Sequence, residues 1–132
     1  MIGSLIRNAM QTPDGTVIES THRHDYVTHL DANGKEYMLD GGLEYVRASA
    51  HGDEKWLTVT IEDDHSVVRD ALKWGTYGKN GDQPLRRITL SEMSNGHIQS
   101  CLDNVPTMLA QYRVAMQNEL AYRAEHSIVI ED

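Results

Sequence analysis

Phenylalanine is missing from this 132-residue chain, and cysteine occurs once, at Cys101. A lone thiol closes no internal disulfide and builds no thiolate-rich zinc site, so a reducing, cytoplasmic setting is the simple expectation. No apolar run reaches the length that crosses a bilayer. The segment from Met1 to Asn8 also lacks the cationic flank and long apolar stretch of a secretory leader, so an unexported protein with no membrane partner is expected. Cations are scarce as well: 12 Lys and Arg stand against 20 Asp and Glu, a formal charge of -8. Duplex DNA or RNA binding needs a basic face that releases counterions, and that balance argues against it. With 39% hydrophobic residues and no Phe, the core must be made of Leu, Val, Ile, Met, Tyr and two tryptophans. Such a modest core favours burying further surface between subunits, as a homo-oligomer.

The first half reads as short strands joined by turns. Thr12-Pro13-Asp14-Gly15 has turn chemistry with proline at the second position, and Thr16 to Ser20 and Asp25 to Leu30 follow as strands. Asp31-Ala32-Asn33-Gly34 predicts a hairpin turn with Asn-Gly supplying positive φ, and Lys35 to Asp40 returns as its partner. After Asp40-Gly41-Gly42, the spacing of Leu43, Val46 and Arg47 suits a helical turn within Leu43 to Ala50. Trp56 to Ile61 alternates over six residues and predicts a strand. Asp63 or Asp64 caps a short helix running through Lys73, and Arg86 to Leu90 supplies the last strand. The C-terminal third is helical. Ser94 caps a helix that Asp103-Asn104 ends, and Pro106 opens a longer one striped by Leu109, Tyr112, Arg113, Met116, Leu120 and Arg123. The tail from Ser127 to Asp132 is loose or adds a strand. The expected architecture is α+β, an N-terminal antiparallel sheet of short strands with two C-terminal helices, forming a single domain over residues 1–132.

One segment stands out chemically. Between Trp74 and Arg87 the chain places three glycines, two aromatic rings, one proline and three cations in fourteen residues. Glycines allow close backbone approach to a ligand, rings offer a face for a base, and Lys79, Arg86 and Arg87 can neutralise phosphate. Trp74, Tyr77, Gly78, Lys79, Arg86 and Arg87 are therefore candidate ligand contacts, with Trp74 also suited to anchoring the segment. Arg113 and Arg123 are further candidates from the C-terminal helix. The segment matches neither the Walker phosphate loop nor the dinucleotide fingerprint, and a plain hairpin tip is the competing reading. Three histidines, His22, His24 and His29, are interleaved with Arg23 and Asp25. Arg23 and His24 are candidate anion contacts. A metal site from His22, His24 and Asp40 is conceivable, but the set has no helical His pair and no thiolates, and Arg23 also fits a surface ion pair with Asp25 or Glu19. Cys101 falls on an apolar stripe, and no strand-turn-helix elbow frames a serine. No catalytic residue, metal or cofactor is expected.

Two blocks, Arg7-Asn8 through His22 to Tyr26 and on to Asp40-Gly41-Gly42-Leu43-Glu44-Tyr45, and Trp74 to Gly78 through Leu90-Ser91-Glu92-Met93 to His97-Ile98, resemble the first type of Thoeris anti-defence protein. The segment Asn118 to Arg123 extends the likeness. The resemblance implies a small phage protein that holds the cyclic ADP-ribose isomer released by TIR-domain enzymes without degrading it. It also implies cyclic oligonucleotides as further ligands, a hexamer as the assembly, and the cytoplasm of an infected bacterium as the setting. Two other functions fit the residues: a metal-assisted nucleotide hydrolase using His22, His24 and Asp40, and an acidic protein-binding inhibitor that occupies a nucleic-acid site on a host factor.

Overall fold

Seven residues, Leu5–Gln11, form the strand β1 around which the first half of the chain is built, and Leu5, Ile6, Asn8, Ala9 and Met10 of this strand are all buried. The computed structural model describes residues 4–78 and 80–132. The chain groups into two compact units, Met1–Glu62 and Asp63–Asp132.

In the N-terminal unit, β2 (Val17–Ser20) pairs antiparallel with one edge of β1, from Asn8 opposite Ser20 to Gln11 opposite Val17. A second sheet orders β3 (Val27–Leu30), β4 (Glu36–Asp40) and β5 (Arg47–Ala48), all antiparallel. Met10, Ile18, Tyr37 and Leu39 pack as a buried cluster, with Val27 and Ala48 against it. The turns Thr12–Thr16 and Asp31–Lys35 share one hydrogen-bond pattern. Gly15 N–H donates to Thr12 O at 2.9 Å and Gly34 N–H to Asp31 O at 2.9 Å, and each turn closes by a second backbone bond. Both glycines have positive φ, 93° and 84°, and Asn33 does not, so glycine alone supplies the left-handed residue of a three-residue hairpin.

Two expectations change here. The segment after Gly42 makes one turn, with Tyr45 N–H on Gly41 O at 3.3 Å, and then becomes β5 instead of a helix. The buried Asn8 side-chain amide donates to the carbonyls of Asp40, Gly42 and Tyr45 at 3.2, 2.9 and 3.3 Å. Those acceptors are thereby committed to a strand end. The run from Trp56 to Ile61 is two short strands, β6 (Lys55–Trp56) and β7 (Val59–Thr60), both on the second edge of β1. Both keep one register on β1, from Gln11 opposite Lys55 to Arg7 opposite Val59, and the register shifts only at the far end of β7, between Arg7 and Leu5.

In the C-terminal unit, Asp64 caps α1 (His65–Ala71) by accepting from Ser66 N–H at 2.9 Å. The helix stops short of Lys73 because Lys73–Thr76 is strand β8, paired antiparallel with β9 (Arg86–Thr89). A 3-10 turn at Leu90–Glu92 leads to α2 (Asn95–Asn104), capped by Ser94 accepting from His97 N–H at 3.0 Å. The last helix, α3, spans Ala110–His126 and begins four residues after Pro106. The Arg113 guanidinium donates to Leu102 O and Val105 O at 3.0 and 2.8 Å, and so holds the α2–α3 connection as a turn. The buried stripe of α3 includes Tyr112, Ala115 and Met116, and also Glu119 and Arg123. Beyond the left-handed Ser127, the tail docks on the start of α2: Asn95 N–H donates to Ile130 O at 2.8 Å, and Asn95 Oδ1 accepts from Ile130 N–H at 3.0 Å. Antiparallel sheets and separate helices make the chain α+β. No helix among the described residues is long and apolar enough to cross a membrane.

Candidate functional site

The glycine-rich segment is the tip of the β8–β9 hairpin. Gly78 N–H donates to Thr76 Oγ1 at 3.1 Å, Gly81 N–H to Gly78 O at 3.1 Å and Gln83 N–H to Tyr77 O at 2.8 Å. Gly78 sits at φ 86°, and a Cβ there would lie 2.8 Å from Gln83 Cγ, so glycine is needed for the tip to fold back on itself. In the antiparallel register Thr76 faces Arg86 and Trp74 faces Ile88. Residues directly opposite share a face, so Arg86 and Ile88 lie on one side of the ribbon and Arg87 on the other.

The Arg86 face borders a cleft of about 520 Å³ whose opposite wall is α2. Along that helix His97, Ser100, Cys101 and Asn104 recur at three and four residues and present one face to the cleft. The result is a cavity of ligand size with a guanidinium on one wall, hydrogen-bonding side chains on the other and Ile88 and Cys101 as apolar surface. Burial raises the Cys101 thiol pKa, which keeps it protonated and unreactive at neutral pH. At the start of α2 the Asp132 carboxylate accepts from the Ser94 hydroxyl and lies beside Gly96. This is the positive end of the helix dipole, and a carboxylate of the chain itself is held there. Beside the cleft, the Glu92 carboxyl is held below its usual pKa by the Thr89 hydroxyl and N–H and by the charge of Arg86.

The residues singled out from sequence have separate fates. Gly78 and Arg86 line the cleft. Tyr77, adjoining Gly78, is 56% exposed and is not among the residues that line the cleft. Trp74 packs against Tyr112 of α3 with ring centroids 6.2 Å apart and anchors the base of the hairpin. Arg87 is exposed on the far face. Lys79 lies outside the described residues. Arg113 is occupied at the α2–α3 turn. Arg123 is 1% exposed and donates to Glu119, Asn95 and the carbonyls of Leu90 and Ser91, so it is a structural strut. Arg23 and His24 belong to the N-terminal unit. There Arg23 pairs with Glu44 at 3.1 Å, not with Asp25 or Glu19, and His24, at φ 62°, meets the Tyr45 hydroxyl at 3.1 Å. His22, His24 and Asp40 do not gather as a set of metal donors among the described residues. His22 sits 3.7 Å from Asp25, while Asp40 accepts from Gly41 N–H at 2.8 Å. Sequence reasoning passed over His97, Ser100 and Asn104. The helical spacing of these residues was the available signal, but it does not tell a ligand-facing polar stripe from a solvated one.

No family model matches the sequence, and no curated protein and no solved structure matches it.

Proposed function

We propose that the chain captures a cyclic nucleotide, of the size of a cyclic ADP-ribose isomer, in the cleft between the β8–β9 hairpin and α2, and holds it without cleaving it. The observation that carries this reading is the placement of Arg86 across a cleft of about 520 Å³ from the polar stripe His97, Ser100 and Asn104. A guanidinium binds a diphosphate with two parallel charge-assisted bonds, and hydroxyl and amide groups suit ribose. Tyr77, exposed beside the cleft-lining Gly78, is the ring that would stack on adenine. The raised pKa of Cys101 fits stoichiometric capture better than nucleophilic attack. In this reading the protein is a phage sponge for an immune signal, working in the cytoplasm of the infected cell. A homo-oligomer, up to a hexamer, adds subunit surface that helps exclude water from the bound charge.

Titration calorimetry against cyclic ADP-ribose isomers and cyclic oligonucleotides tests the proposal. It predicts binding at one site per chain, and recovery of intact ligand after denaturation. Arg86→Ala should weaken binding roughly 10- to 100-fold, the range of a lost charge-assisted hydrogen bond. Arg87→Ala, on the opposite face of the ribbon, should change it less than about twofold. Equal effects of the two substitutions, or no heat and no shift in Tm with any of the ligands, would remove the proposal.

A further inference from the structure

The two matching turns of the N-terminal unit bring together three side chains that are far apart in sequence. Asp14 lies in the Thr12–Thr16 turn, Asp31 opens the Asp31–Lys35 turn, and His29 stands two residues earlier on β3. The turns are laced to each other: Asp14 N–H donates to Asp31 Oδ1 at 3.3 Å, and Ala32 N–H donates to Asp14 Oδ2 at 3.1 Å. His29 Nε2 lies 3.0 Å from Asp14 Oδ2 and 3.6 Å from Asp31 Oδ1. One donor atom from each of the three residues falls within 4.8 Å of the others.

A hydrogen bond from His29 satisfies part of this arrangement, but it leaves a remainder. The Asp31 side chain is 1% exposed, and its second oxygen, Oδ2, is buried with no hydrogen-bond partner among the described groups. Ionised carboxylate oxygens taken out of water are expected to be paired, hydrogen-bonded or bound to a metal. His29 has one Nε2 between two carboxylates, so its single N–H cannot also serve that oxygen.

We propose that Asp14, His29 and Asp31 form a binding site for one divalent transition-metal cation, with zinc the best fit. Two carboxylates and one imidazole are a mixed oxygen and nitrogen set of the kind Zn²⁺ accepts at about 2.0 to 2.2 Å. Ligand atoms sharing such a tetrahedral ion lie about 3.3 Å apart; His29 Nε2 is already 3.0 and 3.6 Å from the two carboxylates, and all three donors lie within 4.8 Å of one another. Calcium, which requires six to eight oxygens, fits this set poorly. Three protein donors leave the fourth position to water. Because Asp14 and Asp31 sit in different turns, the ion clips the β1–β2 hairpin to the β3–β4 hairpin and is a structural staple, independent of any ligand held by the C-terminal unit.

The test uses the full chain stripped with a chelator and then titrated with Zn²⁺ by calorimetry and with Co²⁺ by absorption spectroscopy. The expected results are one equivalent bound, a rise in Tm with Zn²⁺, and the intense visible bands of low-coordinate Co²⁺. His29→Gln and Asp31→Asn should each weaken binding at least tenfold, while His22→Gln, an exposed histidine in the same unit, leaves it unchanged. Should Asp31→Asn fail to fold, His29→Gln, with circular dichroism as the folding check, decides alone. Absence of a saturable equivalent at 0.1 mM metal, roughly the weak end of a specific site, overturns the proposal, as does binding that His29→Gln leaves intact.

Discussion

Glu119 is fully buried and receives four hydrogen bonds: from Arg69 Nε and Nη2 at 2.9 and 2.8 Å, from His65 Nε2 at 2.8 Å and from Arg123 Nε at 2.7 Å. Arg69 also lies over the Tyr122 ring, 4.6 Å from its centroid, so one carboxylate gathers cations from α1 and α3 at a single point. Burial by itself would raise the Glu119 pKa. The hydrogen bonds from Arg69, His65 and Arg123, with the Arg69 charge, outweigh it and hold the carboxyl below its ordinary 4.5. Removing one partner of a buried ionic group strands the others, so Glu119→Gln should lower unfolding free energy by about 3 kcal/mol, measured in urea. The sign of the pH dependence follows from the depressed pKa. The stabilisation is complete above the unfolded carboxyl's value and is lost as pH falls through the folded one. The gap between wild type and Glu119→Gln should therefore be flat near neutrality and shrink below about pH 4. A gap that instead widens in acid would contradict the assignment.

At the scale of elements, the turn joining β4 to β5 is the least tolerant point described. Gly42 has φ 55°, and a Cβ there would fall 2.3 Å from the backbone carbon of His22 and 2.4 Å from its oxygen. Backbone cannot swing aside as a side chain can, so Gly42→Ala should cost about 3 kcal/mol or more. Gly15→Ala meets nothing within 4 Å, so only its positive φ of 93° resists and about 1 to 2 kcal/mol is expected. Thermal melts of the two variants separate the cases, and equal losses would mean that the close approach at Gly42 is not what constrains the turn. The same contrast between local and distant causes decides what the sequence made legible. The Thr12–Thr16 and Asp31–Lys35 turns, the Asp64 and Ser94 caps and the end of α2 follow from neighbours in the chain, and all were readable. The pairing of Lys55–Trp56 and Val59–Thr60 with β1 depends on residues some fifty positions earlier, and the break between them was not readable. Arg123 read as a ligand candidate and Glu119 drew no reading, because their burial makes sense only with Arg69 and His65 in place. Composition singled out Arg86 and Gly78 without showing a cleft, whereas His97, Ser100 and Asn104 needed the β8–β9 ribbon opposite them. No spacing motif announces Asp14, His29 and Asp31, since Asp14 meets the other two across fifteen and seventeen residues.

For the molecule as a whole, the two units are also chemically distinct. Residues 1–62 carry ten acids against five Lys and Arg, and residues 63–132 carry ten against seven, so the N-terminal unit is the more acidic. The cation site proposed from Asp14, His29 and Asp31 lies wholly in the first unit, and the cleft proposed to take a nucleotide wholly in the second. Each unit has its own buried residues: Met10, Ile18, Tyr37 and Leu39 in one, and Leu72, Leu90, Met93, Ile98 and Met116 in the other. The two proposed binding activities should therefore be separable. A fragment of residues 63–132 should retain cyclic-nucleotide affinity to within about tenfold, which allows about 1.4 kcal/mol for lost rigidity. It should not respond to Zn²⁺. Chains of this size fold with little to spare, so ligand should raise the fragment's Tm by mass action, giving a readout even where the free fragment is only partly folded. In the full chain, Zn²⁺ should leave nucleotide affinity unchanged, because no residue is shared between the two sites. Nucleotide binding that requires residues 1–62 under saturating ligand, or that Zn²⁺ shifts more than about twofold, would show that the cleft lined by Arg86 and α2 is not a complete site.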